Sequence, residues 1–246
     1  LLKNQKSFSH DELAAAFEWR FEFPEVLDLE GNFKGFDVIM GNPPYIQMQK
    51  LETEIKQSYA RQGFETYEAT GDIYCLFYEK GLNLLKPGGA LCYITSNKWM
   101  RAGYGEKLRS YFLKFNPKIL MDLGPGIFES ATVDTHILLV EKKKNEKALK
   151  ALSLTGIKKP ALTLNLETEF KQKALTLSHL DSGAWFIGTP EEIRLKEKIK
   201  NIGTPLKDWD VKINYGIKTG LNEAFIIDTP AKERLCKEDP KSAEIL

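Results

Sequence analysis

The sequence predicts an α/β fold, with helices packed on a largely parallel β-sheet. Two observations predict it. Short apolar segments alternate with segments whose apolar residues recur at helical spacing, as in βαβ units. The strand-like segments are nearly continuous apolar runs, which indicates strands covered on both faces. With 246 residues, 42% of them hydrophobic and 28% charged, the chain has the composition of a globular protein with at least one large domain.

Seven elements are predicted for the first part of the chain. Helices are marked by apolar residues at helical spacing, and strands by short apolar runs between glycine, proline or polar residues. In order, they are a helix at residues 11–23, which Pro24 ends, a strand at 36–40, a helix at 71–85, a strand at 90–95, a helix at 104–115, and strands at 118–123 and 135–140. The sequence Lys-Pro-Gly-Gly at 86–89 predicts a turn before the second strand.

The last two predicted strands, 118–123 and 135–140, form a hairpin. About a dozen residues join them, and these residues show no helical pattern. A parallel connection needs a longer crossover, so one of the two strands runs antiparallel. The sheet is therefore predicted to be parallel with an antiparallel edge strand.

The pattern changes after residue 145. Residues 145–185 are polar with short alternations, and they predict hairpins or an extended connection. Residues 190–200 predict a helix with Pro190 in its first turn. From Thr204 onward, short β-like segments and glycines dominate. A domain boundary is expected between residues 145 and 205.

Composition limits the function classes. The formal net charge of +1 lacks the strongly basic balance of many nucleic-acid binders, so such a function would need local sites. No apolar run is long enough to span a membrane, and no signal peptide is visible. We therefore expect a cytoplasmic protein with reduced cysteines and no metal site. The cysteines and histidines are scattered, and the histidines are interpreted as surface or packing residues: Cys75, Cys92, Cys236, His10, His136 and His179.

The first strand ends in the sequence Asn42-Pro43-Pro44-Tyr45. Ligands of open α/β sheets bind at the carboxyl ends of the strands, where this loop is predicted to lie. Proline has no N–H and restricts the residue before it, so the loop is stiff and rich in acceptors. The side-chain oxygen of Asn42 adds an acceptor, and Tyr45 offers a face for stacking on a base.

Such a loop suits an aromatic amino group. The Asn42 side-chain oxygen and the Pro43 carbonyl can accept its two hydrogens and draw the nitrogen toward tetrahedral geometry. The freed lone pair can then attack an activated methyl group, through positioning and fixed dipoles rather than a titrating base. The alternative is a proline-stiffened turn in which Tyr45 only packs.

Five segments, in this order, resemble the TaqI-like adenine-N6 DNA methyltransferases, which include type IIG restriction-modification and phage-defence enzymes. They are FEWRFEFPEVL (17–27), GFDVIMGNPPYI (35–46), GDIYCLFYEKGLNLLKPGGALCYITSNKWM (71–100), ILMDLGPGIFESATVDTHILLVEK (119–142) and INYGIKTGLNEAFIID (213–228). The resemblance implies a partial Rossmann-like methyltransferase sheet, followed by the start of a mostly β target-recognition domain. It also implies S-adenosylmethionine as methyl donor and double-stranded DNA as partner.

The resemblance also implies roles for residues. Asn42 and Pro43 would accept hydrogen bonds from the adenine amino group, with Pro44 stiffening the same loop. Tyr45 would stack on the flipped base and Phe128 would pack on its other side, unless Phe128 is a core residue. Ser96, Asn97 and Lys98 could line the same cleft or cap the next helix.

The strand and glycine-rich turn that bind S-adenosylmethionine are expected to precede the loop of residues 42–45 in the chain. The roughly forty residues before the loop contain no glycine-rich turn followed by a helix. We therefore expect residues 1–145 to be the C-terminal half of a catalytic domain, 146–203 a connecting segment, and 204–246 the beginning of the target-recognition domain. The chain alone should be inactive and bind S-adenosylmethionine weakly. The strand at 36–40 would be an exposed apolar edge that self-associates, or that residues 1–30 cover.

Three lysines near aromatic residues are candidate DNA contacts: Lys207, Lys212 and Lys218. The lysine runs at 142–150 and 194–200 are interpreted as solvated faces. Alternative functions are methylation of RNA adenine or of a protein glutamine, and a non-catalytic DNA-specificity module. Cytosine-N4 methylation is chemically close, but that group usually has Ser or Asp where Asn42 stands.

Overall fold

The computed structural model describes residues 22–128, 133–155, 163–211 and 228–244. The chain divides into two compact units, residues 1–195 and 196–246. The predicted helix at 11–23 lies outside the described residues except for its last two positions. No helix in these described ranges is long and apolar enough to cross a bilayer.

Six strands and six α-helices are described. The strands are β1 (Phe36–Gly41), β2 (Leu85–Ser96), β3 (Asn116–Gly124), β4 (Thr135–Glu141), β5 (Leu149–Ser153) and β6 (Leu175–Leu177). The helices are α1 (Thr53–Arg61), α2 (Tyr74–Leu84), α3 (Glu106–Phe112), α4 (Leu166–Lys173), α5 (Pro190–Ile202) and α6 (Thr229–Glu238). Short 3-10 helices cover Pro24–Val26, Met48–Lys50, Asn97–Met100, Gly103–Gly105, Leu206–Asp208 and Pro240–Glu244.

The strands form one mixed sheet in the order β1-β2-β4-β3-β5-β6. β1 is parallel to β2, and β3 is parallel to β5. β4 is antiparallel to both β2 and β3, which confirms the predicted hairpin. The antiparallel β4 lies inside the sheet, because after its hairpin with β3 it also pairs with β2 along its whole length. The antiparallel edge strand of the described sheet is β6.

Helices cover both faces of the sheet, so the predicted α/β class is confirmed. Neighbouring residues of one strand serve opposite faces, as Tyr93 and Ile94 of β2 show. Tyr93 belongs to the larger core, with residues of α2 and α3. Ile94 packs in the smaller core, which includes Phe170 of α4. This alternation is what a pleated strand requires.

Close contact between α2 and β2 requires glycine at position 81. A Cβ atom there would lie 2.3 Å from Cδ1 of Leu91 and 2.8 Å from the hydroxyl oxygen of Tyr93. Both side chains are buried, so neither has free space to move into. The absence of a side chain at Gly81 therefore sets the spacing between this helix and the sheet.

The Lys-Pro-Gly-Gly sequence does not end an element. The predicted turn at 86–89 is wrong, because these residues are part of β2. They lie opposite the single residue Asp37 of β1, since Phe36 pairs with Leu85 and Val38 with Ala90. Gly88 has a φ of +82°, which glycine adopts readily. The chain therefore bulges here without leaving the sheet.

β1 is less covered than its sequence predicted. The strand was expected to be buried on both faces, but Val38 is 56% and Met40 77% exposed. The reason is that β1 has a partner on one side only among the described residues. Phe36 and Ile39 still pack against the larger core. The open side is the exposed apolar edge expected if upstream strands are lacking.

Residues 145–185 include two strands and a helix, in a region where the sequence predicted hairpins or an extended connection. β5 and β6 extend the sheet, and α4 lies between them, with Asn165 capping the helix through the Thr168 N–H at 3.0 Å. The helix predicted at 104–115 is shorter, Glu106–Phe112. The predicted helix at 190–200 is confirmed as α5, which begins at Pro190.

The unit formed by residues 196–246 is described in part. Its described elements after α5 are helical, including α6, which the sequence analysis missed. Asp228 caps α6 by accepting from the Ala231 N–H at 2.9 Å. The β-like segments expected after Thr204 fall mostly on residues 212–227, outside the described residues.

Candidate functional site

The loop of residues 42–45 follows β1 directly, at the carboxyl end of the strand. Gly41, the last residue of β1, pairs with Tyr93 of β2. Asn42 and Pro44 are exposed, and Pro43 is buried. The Asn42 side chain is thus open to a ligand, as the sequence predicted for this end of the sheet.

The chain after this loop is pinned to the residues that precede α2. The N–H of Ile73 donates to the carbonyl of Ile46 at 2.9 Å, and the N–H of Met48 donates to the carbonyl of Gly71 at 2.8 Å. Met48 is 1% exposed and packs with Ile73 and Leu76. The downstream end of the loop therefore has a fixed position.

Tyr45 is half-buried at the centre of the site. Its hydroxyl donates to the carbonyl of Ile94 in β2 at 3.4 Å. Its ring meets Tyr74 edge-on, with centroids 6.4 Å apart and planes at 89°. It also meets Phe128, with centroids 6.4 Å apart and planes at 62°. Burial raises the pKa of Tyr45, so the hydroxyl stays protonated. The two aromatic residues predicted for the site are therefore in contact.

Tyr74 belongs to a hydrogen-bond chain that the sequence analysis missed. Tyr104 donates its hydroxyl hydrogen to the Asp72 carboxylate at 2.9 Å. The hydroxyl oxygens of Tyr74 and Tyr104 are 2.7 Å apart, so Tyr74 donates to Tyr104. Burial raises the pKa of both tyrosines. These hydrogen bonds fix the position of Tyr74, whose ring packs against Tyr45.

The turn after β2 forms part of the same edge of the sheet. The Ser96 hydroxyl accepts from the Lys98 N–H at 3.4 Å and caps the 3-10 helix Asn97–Met100. Asn97 is buried, and its side-chain amide donates to the Asp122 carboxylate at 2.9 Å. Lys98 is exposed. Of the three residues considered for the cleft, Ser96 caps the 3-10 helix and Asn97 is held by Asp122. Lys98 alone has an exposed side chain that a ligand could reach.

His136 is fully buried behind this turn. Its Nε2 accepts from the indole N–H of Trp99 at 3.1 Å, so Nδ1 carries the hydrogen and donates to the Thr95 carbonyl at 3.1 Å. Burial lowers the pKa of His136 to about 3, so the ring is neutral. The predicted packing role of this histidine is confirmed.

The candidate DNA contacts lie in the other unit. Lys207 is part of the 3-10 helix Leu206–Asp208, and its side chain is outside the described residues, as are Lys212 and Lys218. The nearby Trp209 is 55% exposed and donates its indole N–H to the Thr204 carbonyl at 2.9 Å. The DNA role of the three lysines stays a prediction.

Metal-ligating residues do not gather at this site. Across the described ranges, no three His, Cys, Asp or Glu side chains are placed to hold a metal ion. The site is instead made of amide and carbonyl acceptors with aromatic rings beside them.

Comparison with known proteins gives a family match. The model of the Eco57I restriction-modification methylase family matches residues 1–128. The type II methyltransferase M.PaeR7I of Pseudomonas aeruginosa is 27% identical over 240 residues, which cover 93% of this chain and 41% of that protein. The type II methyltransferase M.XhoI of Xanthomonas vasicola is 26% identical, over 78% of this chain and 38% of that protein. The chain thus spans about two fifths of the length of these relatives.

A solved structure shares the fold. The type ISP restriction-modification enzyme LlaGI, a nuclease-deletion mutant in complex with a DNA substrate mimic, matches with a TM-score of 0.50 and 17% identity. The match covers 65% of this chain and 16% of the LlaGI chain.

Titration of His136 gives a testable prediction. Because the folded pKa of about 3 lies below the unfolded value of about 6.5, protonation favours the unfolded chain as pH falls through 6.5 toward 3. The stability contributed by a neutral His136 is therefore complete above pH 6.5 and lost below it. We expect His136→Leu to be destabilising at pH 7.5, because the Trp99 N–H loses its acceptor. The difference in free energy of unfolding between this variant and the wild type should be about 1.4 kcal/mol smaller at pH 5.5 than at pH 7.5.

Urea unfolding of both proteins at the two pH values measures this difference. His179→Gln, at an exposed histidine, is the matched control. An equal deficit for His136→Leu at both pH values would contradict a neutral buried imidazole.

Proposed function

The chain belongs to the Eco57I restriction-modification methylase family, and from this premise we propose that the full protein methylates the amino group of adenine in double-stranded DNA. It would act as the modification activity of a restriction-modification or phage-defence system. The observation that carries the proposal is the exposed Asn42 at the carboxyl end of β1, in the loop whose Tyr45 ring contacts Phe128. An enzyme that modifies the DNA of its own cell acts where that DNA lies, and we infer a cytoplasmic location.

The chemistry follows from the acceptors. The Asn42 oxygen and the Pro43 carbonyl would each accept one N–H of adenine, leaving the nitrogen lone pair directed outward. S-adenosylmethionine, when bound, supplies the activated methyl group. The nitrogen would bond to the methyl carbon as the carbon–sulfur bond breaks and S-adenosylhomocysteine leaves, and one amino proton would then pass to water. The loop contributes position and fixed dipoles, which need no reorganisation during the reaction.

The main elements that hold S-adenosylmethionine are inferred to lie outside the described residues. Before β1, residues 22–35 form a 3-10 helix at Pro24–Val26 and a turn closed by the Gly31 N–H and the Asp28 carbonyl. Neither is a strand followed by a glycine-rich turn and a helix. Because the two prolines of the loop lack N–H groups, the loop is rich in carbonyl acceptors. These acceptors, with the Asn42 side-chain oxygen, suit the amino group of the base rather than the carboxylate of the cofactor.

A flipped adenine would lie between Tyr45 and Phe128. Their rings now touch at 62°, so they would separate to admit a base. Extrusion of a base costs a few kcal/mol, and stacking on aromatic rings returns roughly 1 to 3 kcal/mol per base. The two rings would therefore offset much of the cost of flipping.

We propose the domain roles that the sequence predicted. Residues 1–145 would form the C-terminal half of the catalytic domain, and 204–246 the beginning of the target-recognition domain. Residues 146–203 would connect the two, and their strands β5 and β6 extend the catalytic sheet. Lys207, Lys212 and Lys218 would contact DNA from the last of these. The division of the chain into two units at residues 195 and 196 is compatible with a boundary in this region.

Loss of the Asn42 acceptor tests the chemistry. We expect Asn42→Ala in the full-length protein to lower methyl transfer from labelled S-adenosylmethionine to adenine-rich DNA by about 100- to 1,000-fold, the usual effect of removing one preorganised polar group. Asn201→Ala, at an exposed asparagine of α5, is the control and should retain activity. Residues 1–246 alone should transfer no methyl group.

The alternatives predict other results. Transfer by the full-length protein to RNA or to a protein, but not to DNA, would leave the loop chemistry intact and overturn the substrate. A fully active Asn42→Ala variant would contradict the chemistry itself.

Stacking is tested with 2-aminopurine in place of the target base. We expect the flipped base to be quenched by the rings, and Tyr45→Ala or Phe128→Ala to raise its fluorescence. Losing stacking of roughly 1 to 3 kcal/mol would also weaken binding of the flipped state about five- to 150-fold. Tyr45→Phe, which keeps the ring, is the matched control. Fluorescence in the Phe128→Ala complex equal to that of wild type would show that Phe128 is a packing residue.

The open side of β1 gives a prediction about association. Exposed strand edges with apolar side chains tend to pair, and Val38 and Met40 are such side chains. We expect residues 1–246 to self-associate in light scattering and Met40→Lys to shift the population toward monomer. Glu54→Lys, at an exposed position of α1, is the charge control. A monomer at all concentrations, with amides of β1 exchanging rapidly, would contradict this pairing.

A further inference from the structure

About half of the cations that the structure describes in the unit of residues 1–195 have a hydrogen-bond or ion-pair partner in the protein. Arg109 is buried on backbone carbonyls, and Lys142 donates to two carbonyls. The ion pairs are Lys86–Asp37, Lys107–Glu68, Lys114–Glu65, Lys118–Glu146, Lys143–Glu141, Lys171–Glu167 and Lys173–Glu169. The other described cations of this unit have no such partner, and two of them are distinguished by their position.

Lys98 and Arg101 are two such cations. Both are exposed, and neither side chain forms an ion pair or hydrogen bond with any described residue. They lie three positions apart, on the 3-10 helix Asn97–Met100 and the residue that ends it. Their charges are thus presented together to solvent.

The backbone that carries these two cations is rigid. The Asn97 N–H donates to the carbonyl of Asp134 at 3.0 Å, and Trp99 and Met100 are buried. Arg109 donates to the carbonyl of Trp99 and, at 3.0 Å, to that of Ala102. Neither cation contributes to these contacts, so the turn holds its shape independently of the two charges.

The turn begins where β2 ends, beside the loop of residues 42–45. Tyr45 donates to the carbonyl of Ile94, which is four positions before Lys98 in the chain. Both cations therefore lie at the edge of the sheet that holds the proposed adenine pocket. No acidic residue occurs in residues 97–105, between β2 and α3. Asp134, whose carbonyl accepts from the Asn97 N–H, is a neighbouring acidic residue, and it forms no ion pair with either cation in the structure.

We propose that Lys98 and Arg101 bind the DNA phosphates next to the flipped adenine. The proposal rests on the proposed function and adds a binding site that the sequence analysis did not assign. A nucleotide rotated out of the helix draws its flanking phosphates toward the enzyme, and cations on a fixed turn can hold them there. Lys98 provides a point charge, and Arg101 can bind a phosphate through two N–H groups.

The test is a salt titration of DNA binding by the full-length protein. Each phosphate contact releases about 0.9 counterion, which at about 0.15 M salt corresponds to roughly fivefold in affinity. We expect Lys98→Gln and Arg101→Gln each to weaken binding about fivefold and to reduce the slope of log K against log salt by about 0.9. The loss should be larger on a duplex that holds the target adenine than on a non-cognate duplex, because the proposed contact is to phosphates that move with the flipped nucleotide. Binding of S-adenosylmethionine should not change.

Lys144→Gln is the matched control. Lys144 is also exposed, but it follows the end of β4 at Glu141, which pairs with Ala90 at the opposite edge of the sheet from Ser96. This variant should keep the wild-type slope. If Lys98→Gln and Arg101→Gln keep that slope while the protein still methylates DNA, the phosphate site is wrong and the proposed function stands. If the unaltered protein methylates RNA and not DNA, both proposals fail.

Discussion

The end of β2 is held by a neutral imidazole, and both functional features of the site depend on that end. His136, in β4, donates to the Thr95 carbonyl and accepts from the Trp99 indole, so it joins β4, the end of β2 and the turn that follows. Tyr78 adds a contact from α2, with its hydroxyl 3.0 Å from that of Thr95. A buried polar network of this kind is stabilising only when every member is satisfied. Loss of the imidazole would leave the buried indole N–H of Trp99 without its acceptor, at about 1 to 3 kcal/mol.

The position of the loop follows from this anchor. Tyr45 donates a hydrogen bond to the carbonyl of Ile94, the residue before Thr95. The end of β2 therefore fixes the position of the Tyr45 ring. The downstream side of the loop is held separately by the pairing of Ile46 with Ile73. The acceptors between these two supports lie on a loop that the two prolines stiffen. Preorganisation here comes from neighbouring strands and helices as much as from the loop sequence.

The sequence predicted the parts of the fold that rest on continuous apolar runs. Strands β1 to β4 and helix α2 were found because burial requires such runs or spacings. Helix α5 has no buried residue, and it was found from Pro190 in its first turn. β5 and β6 are short and contribute few apolar residues to the core, so their region was assigned only to hairpins or an extended connection. The Lys-Pro-Gly-Gly segment is a bulge within β2, but it was predicted to be a turn, because glycine and proline are common in both turns and bulges. The contact of Tyr104 with Asp72 joins residues far apart in the chain, and no local pattern signals it.

The closed contact between Tyr45 and Phe128 has an energetic consequence for the proposed base site. An aromatic pair contributes about 0.5 to 1.5 kcal/mol beyond its buried area, and stacking on a base contributes roughly 1 to 3 kcal/mol. Exchange of the ring–ring contact for two ring–base contacts is therefore favourable, but by less than the stacking values alone suggest. Flipping costs a few kcal/mol, so stacking cannot hold the extruded adenine without further contacts. The acceptors of Asn42 and Pro43, together with cations on the phosphates, would supply the remainder, and this makes base extrusion depend on the whole edge of the sheet rather than on the two rings.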